Sequence, residues 1–389
     1  MSKIAETKVR KILDSRGEWT LEVAVVTDSG LPAVVSVPRG KSRGKYEAAS
    51  VSVDEAVRNI EEVIAPALKG FDPKDQQKID RRLIELDGTA NKSGLGGNAV
   101  LGVSLACARA AAVSQQIPVW RHIRELINLP APTGPPRLFI NVINGGLHAG
   151  NNLDFQEYLI IPKVSTMTEA VRLGDLAYIS LRDFLVENFG KSASLLGDEG
   201  GFAPEFRDNL EPFEILERSA ADAGLLGKLD FGLDAAASNI QKDPEELKSI
   251  YQELRARHNL WYLEDPFGEN EFDKFADLLK DWPSGLICGD DLTVTNVERM
   301  KTAVEHHSIN SIIIKPNQIG TLTETLTAVR QAREYGWKVI VSHRSGETDD
   351  DFIADLAYGV GADGFKLGAP ARGERVAKFN RLLAIEQEL

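Results

Sequence analysis

The sequence has little of what marks a secreted, disulfide-stabilised or membrane protein. Its 389 residues include two cysteines, Cys107 and Cys288, which are too few and too far apart for a disulfide framework or a zinc site. We expect both to be reduced core residues. Residues 1–17 lack the apolar segment of a signal peptide, and no run of about 18 uncharged apolar residues occurs. These absences predict a cytoplasmic protein with no membrane partner.

A surplus of basic residues is also absent. Lysine and arginine total 45 against 58 acidic residues, which gives a net charge of −13. This balance argues against a nucleic-acid partner, whose electrostatic footprint would be a clustered basic surface. A small anionic substrate needs only a local cluster of cations, and an excess of carboxylates suits a site for hard divalent metals.

The first part of the chain has the pattern of an α+β domain. Residues 8–15, 20–27 and 32–38 read as short strands, with a turn at residues 28–30, which predicts an antiparallel meander. Apolar positions recur at helical spacing in 53–68, 74–88 and 96–115. Residues 128–136, rich in proline and glycine, break both patterns. We therefore expect an N-terminal α+β capping domain at 1–128 and a catalytic domain at 137–389.

Beyond that boundary, short apolar runs end in polar or charged clusters, and most are separated by amphipathic helical segments. The runs are FINVING, EYLIIP, SLLGDEG, LDFGLDA, LWYLEDP, GLICGDD, SIIIKPN, KVIVSHR and GFKLGAP. Strand–helix repetition predicts parallel strands with crossovers, and so many units favour an α/β fold with a closed β/α barrel. A doubly wound open sheet is the alternative, but no GxGxxG motif follows a strand.

Charged residues recur about once per strand–helix unit, where a barrel of this kind carries its functional side chains. Asp234, Glu264 and Asp290 each end an apolar run, at separations of 264 − 234 = 30 and 290 − 264 = 26. Lys315 ends the next run, His343–Arg344 the one after it, and Lys366 the last. One acidic residue at a strand end could be a helix cap, but this register predicts a site.

The three acids predict a metal site. Carboxylates that converge at one barrel mouth repel one another unless a cation lies between them. Oxygen ligands without cysteine, and with little histidine nearby, select magnesium rather than zinc or copper. We therefore expect Asp234, Glu264 and Asp290 to bind Mg²⁺.

Lys315 is unusual because it ends an apolar strand, where an unpaired ammonium is costly. Beside a metal and Lys366, its pKa is expected to be lowered by like charge, as a general base for a carbon acid requires. The alternative is a buried salt bridge with Asp290 or Glu264.

Long motifs resemble the enolase family across the whole chain. They are KILDSRG, NVINGGLHAGNNLDFQEYLI, LLGDEGGFAP, LEDPF, GDDLTVTN, IKPNQIGTLTET, SHRSGETDDDFIADL and LGAPARGERVAKFNRLL. The resemblance implies a magnesium-dependent hydro-lyase that removes water from 2-phosphoglycerate, or a closely related phosphorylated hydroxy acid, to give an enolpyruvate ester. It also implies a homodimer or higher homo-oligomer, although Glu18–Trp19 replaces the usual Asn-Pro near the expected contact.

The resemblance assigns roles to individual residues. Asp234, Glu264 and Asp290 look like the ligands of a magnesium ion that holds the substrate carboxylate, Lys315 like the base that removes the C2 proton, and Glu199 like the acid that assists departure of hydroxide. The supporting and substrate-binding positions are Gln156 and Glu157 beside the acid, His148 on a capping loop, Lys366 at the carboxylate, Arg344 and Ser345 at the phosphate, and His343 next to them.

One loop departs from the family. Where enolases usually read S-G-A-S-T, this chain has Arg39–Gly40–Lys41–Ser42–Arg43. Ser42 stands where the family coordinates a second magnesium, so two Mg²⁺ per site are expected. The cations Arg39, Lys41 and Arg43 are either solvated surface residues or contacts for a larger, more anionic substrate.

Three alternative functions remain open, and the first follows from that loop. Contacts to a more anionic substrate would suit a paralogue like carboxyphosphonoenolpyruvate synthase of phosphonate biosynthesis. A catalytically degenerate binding protein is a further alternative, but it would have no reason to retain a costly cluster of buried charge. Racemase chemistry of the muconate-cycloisomerase kind is a third alternative, but it would not need the SHRSG segment, which the resemblance assigns to phosphate binding.

Overall fold

The N-terminal part of the chain is a three-stranded antiparallel sheet covered by helices. The computed structural model describes residues 2–41, 44–130 and 132–389. Strands β1 (Ile4–Leu13), β2 (Trp19–Thr27) and β3 (Pro32–Ser36) pair in chain order. Gly30 N donates to Thr27 O (2.9 Å) in the turn between β2 and β3. The predicted meander is confirmed.

Five helices complete this part. They are α1 (Val53–Asn59), α2 (Ala65–Leu68), α3 (Gln76–Asp87), α4 (Gly97–Gln115) and α5 (Val119–Ile127), with a π-helical turn, Ile60–Ile64, joining α1 to α2. The three predicted helical segments agree with these bounds to within two residues. Among the described residues, α4 is the one helix long and apolar enough to cross a membrane, but 78% of its apolar window is buried inside the protein.

The rest of the chain forms a closed eight-stranded barrel in the order β10-β11-β4-β5-β6-β7-β8-β9. The strands are β4 (Arg137–Asn144), β5 (Glu157–Pro162), β6 (Leu229–Asp234), β7 (Leu260–Glu264), β8 (Leu286–Gly289), β9 (Ser311–Ile314), β10 (Lys338–Ser342) and β11 (Gly364–Lys366). The helices are α6 (Met167–Phe189), α7 (Glu211–Asp222), α8 (Pro244–His258), α9 (Phe272–Asp281), α10 (Val297–Glu305), α11 (Pro316–Ile319), α12 (Leu322–Glu334), α13 (Phe352–Gly359) and α14 (Gly373–Gln387). The predicted closed barrel is confirmed.

Two details of the predicted barrel are wrong. Strand β5 runs antiparallel to both β4 and β6, because no helix returns the chain between β4 and β5, and two helices follow β5. The run SLLGDEG is a loop rather than a strand: Leu195 is 68% exposed, and Leu196 makes only an isolated bridge to Phe202.

A buried carboxylate ties the N-terminal helices to the barrel. Asp80 on α3 accepts hydrogen bonds from Ser104 Oγ (2.6 Å), Gln76 Nε2 (3.0 Å) and Thr323 N (2.8 Å). Leu322 N donates to Ser104 Oγ (2.9 Å). Helices α3 and α4 therefore satisfy free amides at the start of α12, shortly after the strand that ends beside Lys315.

The two cysteines agree with the prediction. Cys107 on α4 and Cys288 on β8 are both free and buried. Burial raises the pKa of each thiol, which keeps both sulfur atoms neutral and unreactive.

Candidate active site

The carboxyl ends of the barrel strands bring the predicted site residues to one end of the barrel. Asp234, Glu264 and Lys366 are the last residues of β6, β7 and β11. Asp290 and Lys315 directly follow β8 and β9. Because these strands are parallel, their final residues lie on the same rim.

Strand β5 reaches the same rim with its first residue. Its antiparallel direction pairs Glu157 with Asp234 on β6 and with Asn144 on β4. The reversal therefore places Glu157 where a parallel strand would have placed its last residue.

A single cavity at this rim gathers most of the predicted site. The predicted residues that line it are His148, Gln156, Glu157, Glu199, Asp234, Asp290, Lys315, His343, Arg344, Ser345 and Lys366. Glu264 lies beside it without exposed surface. Arg39 and Lys41 do not line this cavity, and Ser42 and Arg43 lie outside the described residues.

Lys366 is the central cation of the carboxylate cluster at this rim. Its Nζ lies 2.9 Å from Asp234 Oδ2, 2.8 Å from Glu264 Oε2 and 3.0 Å from Glu157 Oε2. Burial lowers the pKa of Lys366, but the attraction of Asp234, Glu157 and Glu264 outweighs it and raises the pKa well above its ordinary value. Lys366 therefore remains an ammonium.

Lys315 does not have the lowered pKa that the sequence predicted. Its Nζ forms an ion pair with Asp290 Oδ2, and both residues are largely buried. Burial and like charge act to lower the pKa of Lys315, but Asp290 outweighs them and raises it. The salt bridge that the sequence left open as an alternative is present, because Asp290 is nearer to the ammonium than any cation.

A carboxylate pair lies across the same cavity. His148 Nδ1 lies 3.6 Å from Glu157 Oε1 and 3.5 Å from Glu199 Oε1. Glu199 Oε2 accepts a hydrogen bond from Asn141 Nδ2 (2.9 Å). Burial, followed by repulsion from Glu199, raises the pKa of Glu157 well above its ordinary value. Burial also acts to raise the pKa of Glu199, but His343 and His148 outweigh it and lower that pKa well below its ordinary value. A proton held by the pair therefore lies on Glu157, beside the ionised Glu199.

The carboxylates outnumber the cations that face them, as a cation site requires. Burial, followed by repulsion from Asp234, raises the pKa of Glu264 to about 8. Asp265, Asp290 and Asp291 place carboxylate oxygens within 4.8 Å of one another. Oxygen ligands of this kind suit Mg²⁺, so the residues present fit that ion. Asp290 belongs both to this cluster and to the predicted ligand set.

Comparison with known proteins identifies the family of this chain over nearly its whole length. Residues 4–123 match the family profile described as "Enolase, N-terminal domain", and residues 132–389 match "Enolase, C-terminal TIM barrel domain". The chain is 44% identical to a protein named Enolase from Methanopyrus kandleri, covering 100% of this chain and 96% of that protein. The chain belongs to the enolase family.

Two more relatives agree in name and length. Enolase from Methanocaldococcus jannaschii is 42% identical, with 100% of this chain and 96% of that protein covered. Enolase B from Dictyostelium discoideum is 41% identical, with 99% and 95% covered. The chain therefore spans nearly the full length of these enolases.

Two of the cations that depart from the enolase pattern, Arg39 and Lys41, are paired with protein carboxylates. Arg39 Nη1 lies 3.2 Å from Glu18 Oε2, and Lys41 Nζ lies 3.1 Å from Asp198 Oδ2. Both cationic side chains are 45% exposed. Their charges are therefore balanced before any substrate arrives, and screened by solvent.

The predicted phosphate residues Arg344 and Ser345 line the cavity, and Arg344 already binds a carboxylate. Arg344 Nη1 donates to Glu47 Oε2 (3.0 Å), and Nη2 donates to Glu47 Oε1 (3.1 Å). Asn317 Oδ1 accepts from Nη1 at 3.1 Å. This is the two-point geometry with which a guanidinium binds carboxylate or phosphate. Ser345 Oγ accepts from Lys41 N at 2.8 Å, so loop 39–41 lies over it.

Several residues of the enolase site were missed by the sequence reasoning. Asp265 accepts from Asp290 N (2.9 Å) and Asp291 N (2.7 Å), and therefore orients the loop after β8. The paired acids in LEDP and GDD were a signal for Asp265 and Asp291. Nothing in the local sequence indicated that Glu47 contacts Arg344 or that Asn141 contacts Glu199, because these partners are remote along the chain.

Proposed function

We propose that this chain is a magnesium-dependent hydro-lyase of enolase type that removes water from 2-phosphoglycerate. The observation that carries the proposal is the single cavity in which an amine (Lys315), an acid pair (Glu157 and Glu199) and a guanidinium (Arg344) surround a cluster of carboxylates. These are the groups needed to remove a carbon-bound proton, protonate a leaving hydroxide and hold a phosphate.

Lys315 is the proposed base. In the reaction, the C2–H bond breaks and its proton passes to Nζ of neutral Lys315, while the C3–O bond breaks and a double bond forms between C2 and C3. The ion pair with Asp290 positions the amine, and Lys315 must lose its proton before it can act.

Glu199 is the proposed acid, supported by Glu157, Gln156 and His148. A proton held by the Glu157–Glu199 pair would pass to the departing hydroxide, which leaves as water. Gln156 Nε2 donates to Asp234 Oδ2 (3.3 Å) and so connects the acid pair to the carboxylates around Lys366. His148 is buried against both acids, which supports a positioning role for the capping loop.

Magnesium would be held by Asp234, Glu264 and Asp290. When bound, it supplies positive charge beside the substrate carboxylate and so makes the C2 proton more acidic. Lys366 adds a fixed positive charge at the same place. We propose two ions per site, the second coordinated by Ser42.

Arg344 and Ser345 are the proposed phosphate contacts, and His343 lies beside them. A phosphate oxygen pair can replace the Glu47 carboxylate on the Arg344 fork, since both present two acceptors in one plane. Arg39, Lys41 and Arg43 are proposed as peripheral electrostatic contacts.

The alternative of a larger, more anionic substrate is not favoured. The relatives covering the whole chain are named Enolase, and Arg39 and Lys41 are paired with Glu18 and Asp198 rather than lining the cavity. A degenerate binding protein is disfavoured by the buried charge cluster, which a binding role would not need.

We also propose a cytoplasmic homodimer, with the N-terminal domain at 1–128 capping a catalytic domain at 137–389. The separate family matches at 4–123 and 132–389 support this division.

The proposal is tested by incubating the purified protein with 2-phosphoglycerate and Mg²⁺ and following the ultraviolet absorbance of the enol product. We expect rapid turnover, and its loss when the metal is chelated. Lys315→Met should reduce kcat at least about 1000-fold, because the base is removed. Lys338→Met is the matched control, since Lys338 begins β10 and its side chain is 55% exposed. Absence of turnover in the wild type would overturn the proposal.

A second measurement separates base from acid. In deuterated buffer, Glu199→Gln should still exchange the C2 hydrogen, followed by proton NMR, while it no longer forms the enol product. Lys315→Met should lose both. If Glu199→Gln lost the exchange of the C2 hydrogen while Lys315→Met retained it, the assigned roles would be contradicted.

A further inference from the structure

We propose that Arg375 is a positioning residue for the acid Glu199, because its guanidinium fixes the tautomer of His343 that presents an N–H to Glu199. The inference rests on the proposed function for the role of Glu199, but the tautomer itself can be tested without substrate. Neither the family motif nor the cavity lining assigned a role to Arg375.

Arg375 is a fully buried arginine held mainly by backbone carbonyls. It lies on α14, and its nearest carboxylate atom, Glu374 Oε1, is 3.7 Å from Nε. Nη1 donates to Arg344 O (2.7 Å), and Nη2 donates to Ser345 O (2.6 Å) and Asp198 O (3.3 Å). The guanidinium therefore joins the segment that carries the phosphate contacts to the loop that carries Glu199.

The same guanidinium fixes the protonation pattern of His343. Arg375 Nη1 lies 2.7 Å from His343 Nδ1. Every guanidinium nitrogen is a donor and none can accept, so Nδ1 must be the acceptor and carries no hydrogen. A neutral imidazole then has its hydrogen on Nε2.

The imidazole is neutral because of its surroundings. Burial, with a further contribution from Arg375, outweighs the attraction of Glu199 and lowers the pKa of His343 to about 4. Nε2 lies 3.3 Å from Glu199 Oε2, a contact that falls short of hydrogen-bond geometry, and it has no hydrogen-bond partner among the described residues. An Nε2–H would therefore face the carboxylate oxygen of Glu199 that already accepts from the amide of Asn141.

The chain leaves room for this close approach. Gly368 has φ of +82°, and a Cβ at that position would lie 3.0 Å from Arg375 Cδ and 3.1 Å from His343 Cε1. A side chain at residue 368 would crowd Glu199 O, at 2.8 Å, as well as Arg375 and the ring. The opposite tautomer would set two donors against each other at Nδ1 and two acceptors against each other at Glu199.

The first test reads the tautomer directly. With histidines labelled in ¹⁵N, chemical shifts of the six imidazoles identify which ring nitrogen carries hydrogen, and His343→Asn assigns the resonance. We expect Nε2–H for His343 in the wild type and in Arg375→Lys, whose ammonium is also a donor, and a mixture or reversal in Arg375→Met. An Nδ1–H wild type would overturn the proposal, and this result needs no variant of Arg375.

The second test separates positioning from folding. Arg375→Met should lower kcat for 2-phosphoglycerate about 100-fold with KM changed less than about threefold, and Arg375→Lys should recover part of kcat. Arg381→Met is the control, since Arg381 lies on the same helix and its guanidinium pairs with Asp355 (2.7 Å) and Glu388 (2.7 Å). An unchanged tautomer in a folded Arg375→Met would overturn the proposal. Lack of turnover in the wild type would instead remove the proposed function and leave the tautomer result standing.

Discussion

At the scale of single residues, the charges of Arg39 and Lys41 have less influence on the site than the sequence suggested. Lys41 pairs with Asp198, and both side chains are partly exposed to solvent. An exposed ion pair contributes at most about 1 kcal/mol. The pair therefore joins two loops at the mouth of the cavity without forming a strong anion site.

Lys41→Ala should consequently change kcat/KM for 2-phosphoglycerate by less than about tenfold. Arg344→Met, measured alongside it, should lower kcat/KM far more, because it removes the guanidinium that we propose as the two-point phosphate contact. Steady-state kinetics at two salt concentrations provide the check. A loss in Lys41→Ala as large as that in Arg344→Met would restore the hypothesis of a more anionic substrate.

At the scale of elements, helices α3, α4 and α12 meet at a buried polar junction. Asp80 accepts from Ser104, Gln76 and Thr323, and no cation joins it among the hydrogen bonds of the described residues. Burial raises the pKa of Asp80. The start of α12 depends on this junction, and α12 follows the segment that carries Lys315.

Asp80→Ala should destabilise the protein by about 3 kcal/mol, because several buried donors lose their acceptor. Urea unfolding followed by circular dichroism gives the comparison. Glu85→Ala on the same helix is the control, since the Glu85 side chain is 57% exposed. Equal losses in the two variants would mean that the junction contributes nothing to stability.

The burial of His122 on α5, which packs against α4, predicts how the stability of the folded protein depends on pH. Burial, with a smaller effect of Lys74, lowers the pKa of His122 on α5 to about 4, from an unfolded value near 6.5. Between those values the unfolded chain binds a proton that the folded chain does not. Stability from this residue is therefore complete above pH 6.5 and is lost as the pH falls toward 4.

Between pH 7 and pH 5, the wild type should lose about 2 kcal/mol more stability than His122→Asn, which cannot titrate. Asparagine keeps an acceptor near the atom that contacts Gln115 Nε2 at 3.1 Å. His307→Asn serves as the exposed control and should follow the wild type. If the stability of the wild type and of His122→Asn fell equally between pH 7 and pH 5, the lowered pKa of His122 would be contradicted.

At the scale of the whole molecule, the barrel rim gathers carboxylates from consecutive strands, and the folded protein alone presents them together. A ligand that binds only the folded state stabilises it by about 2.7 kcal/mol at 100 times its Kd. Mg²⁺ should therefore raise the urea midpoint, while NaCl of equal ionic strength should not. Asp290→Asn should reduce the magnesium effect. No shift with Mg²⁺ in the wild type would contradict a metal site built from these residues.

Much of the fold and site was readable from the sequence because both depend on local patterns. The position of Asp234, Glu264, Asp290, Lys315 and Lys366 at strand ends follows from apolar runs ending in charge. The direction of β5 did not follow, since an apolar run carries no information about its partner's direction. The loop nature of SLLGDEG was also missed, because exposed leucines look the same in sequence as buried ones.

The sequence by itself determined the family, the barrel, and the residue types available for metal, base, acid and phosphate. Tertiary structure decided the partners: Lys315 is held by Asp290, Glu47 occupies Arg344, and Arg375 reaches His343 from the last helix. The physical reason is that protonation state and orientation depend on burial and on charges within a few ångströms. Those neighbours come from distant parts of the chain, and only folding brings them together.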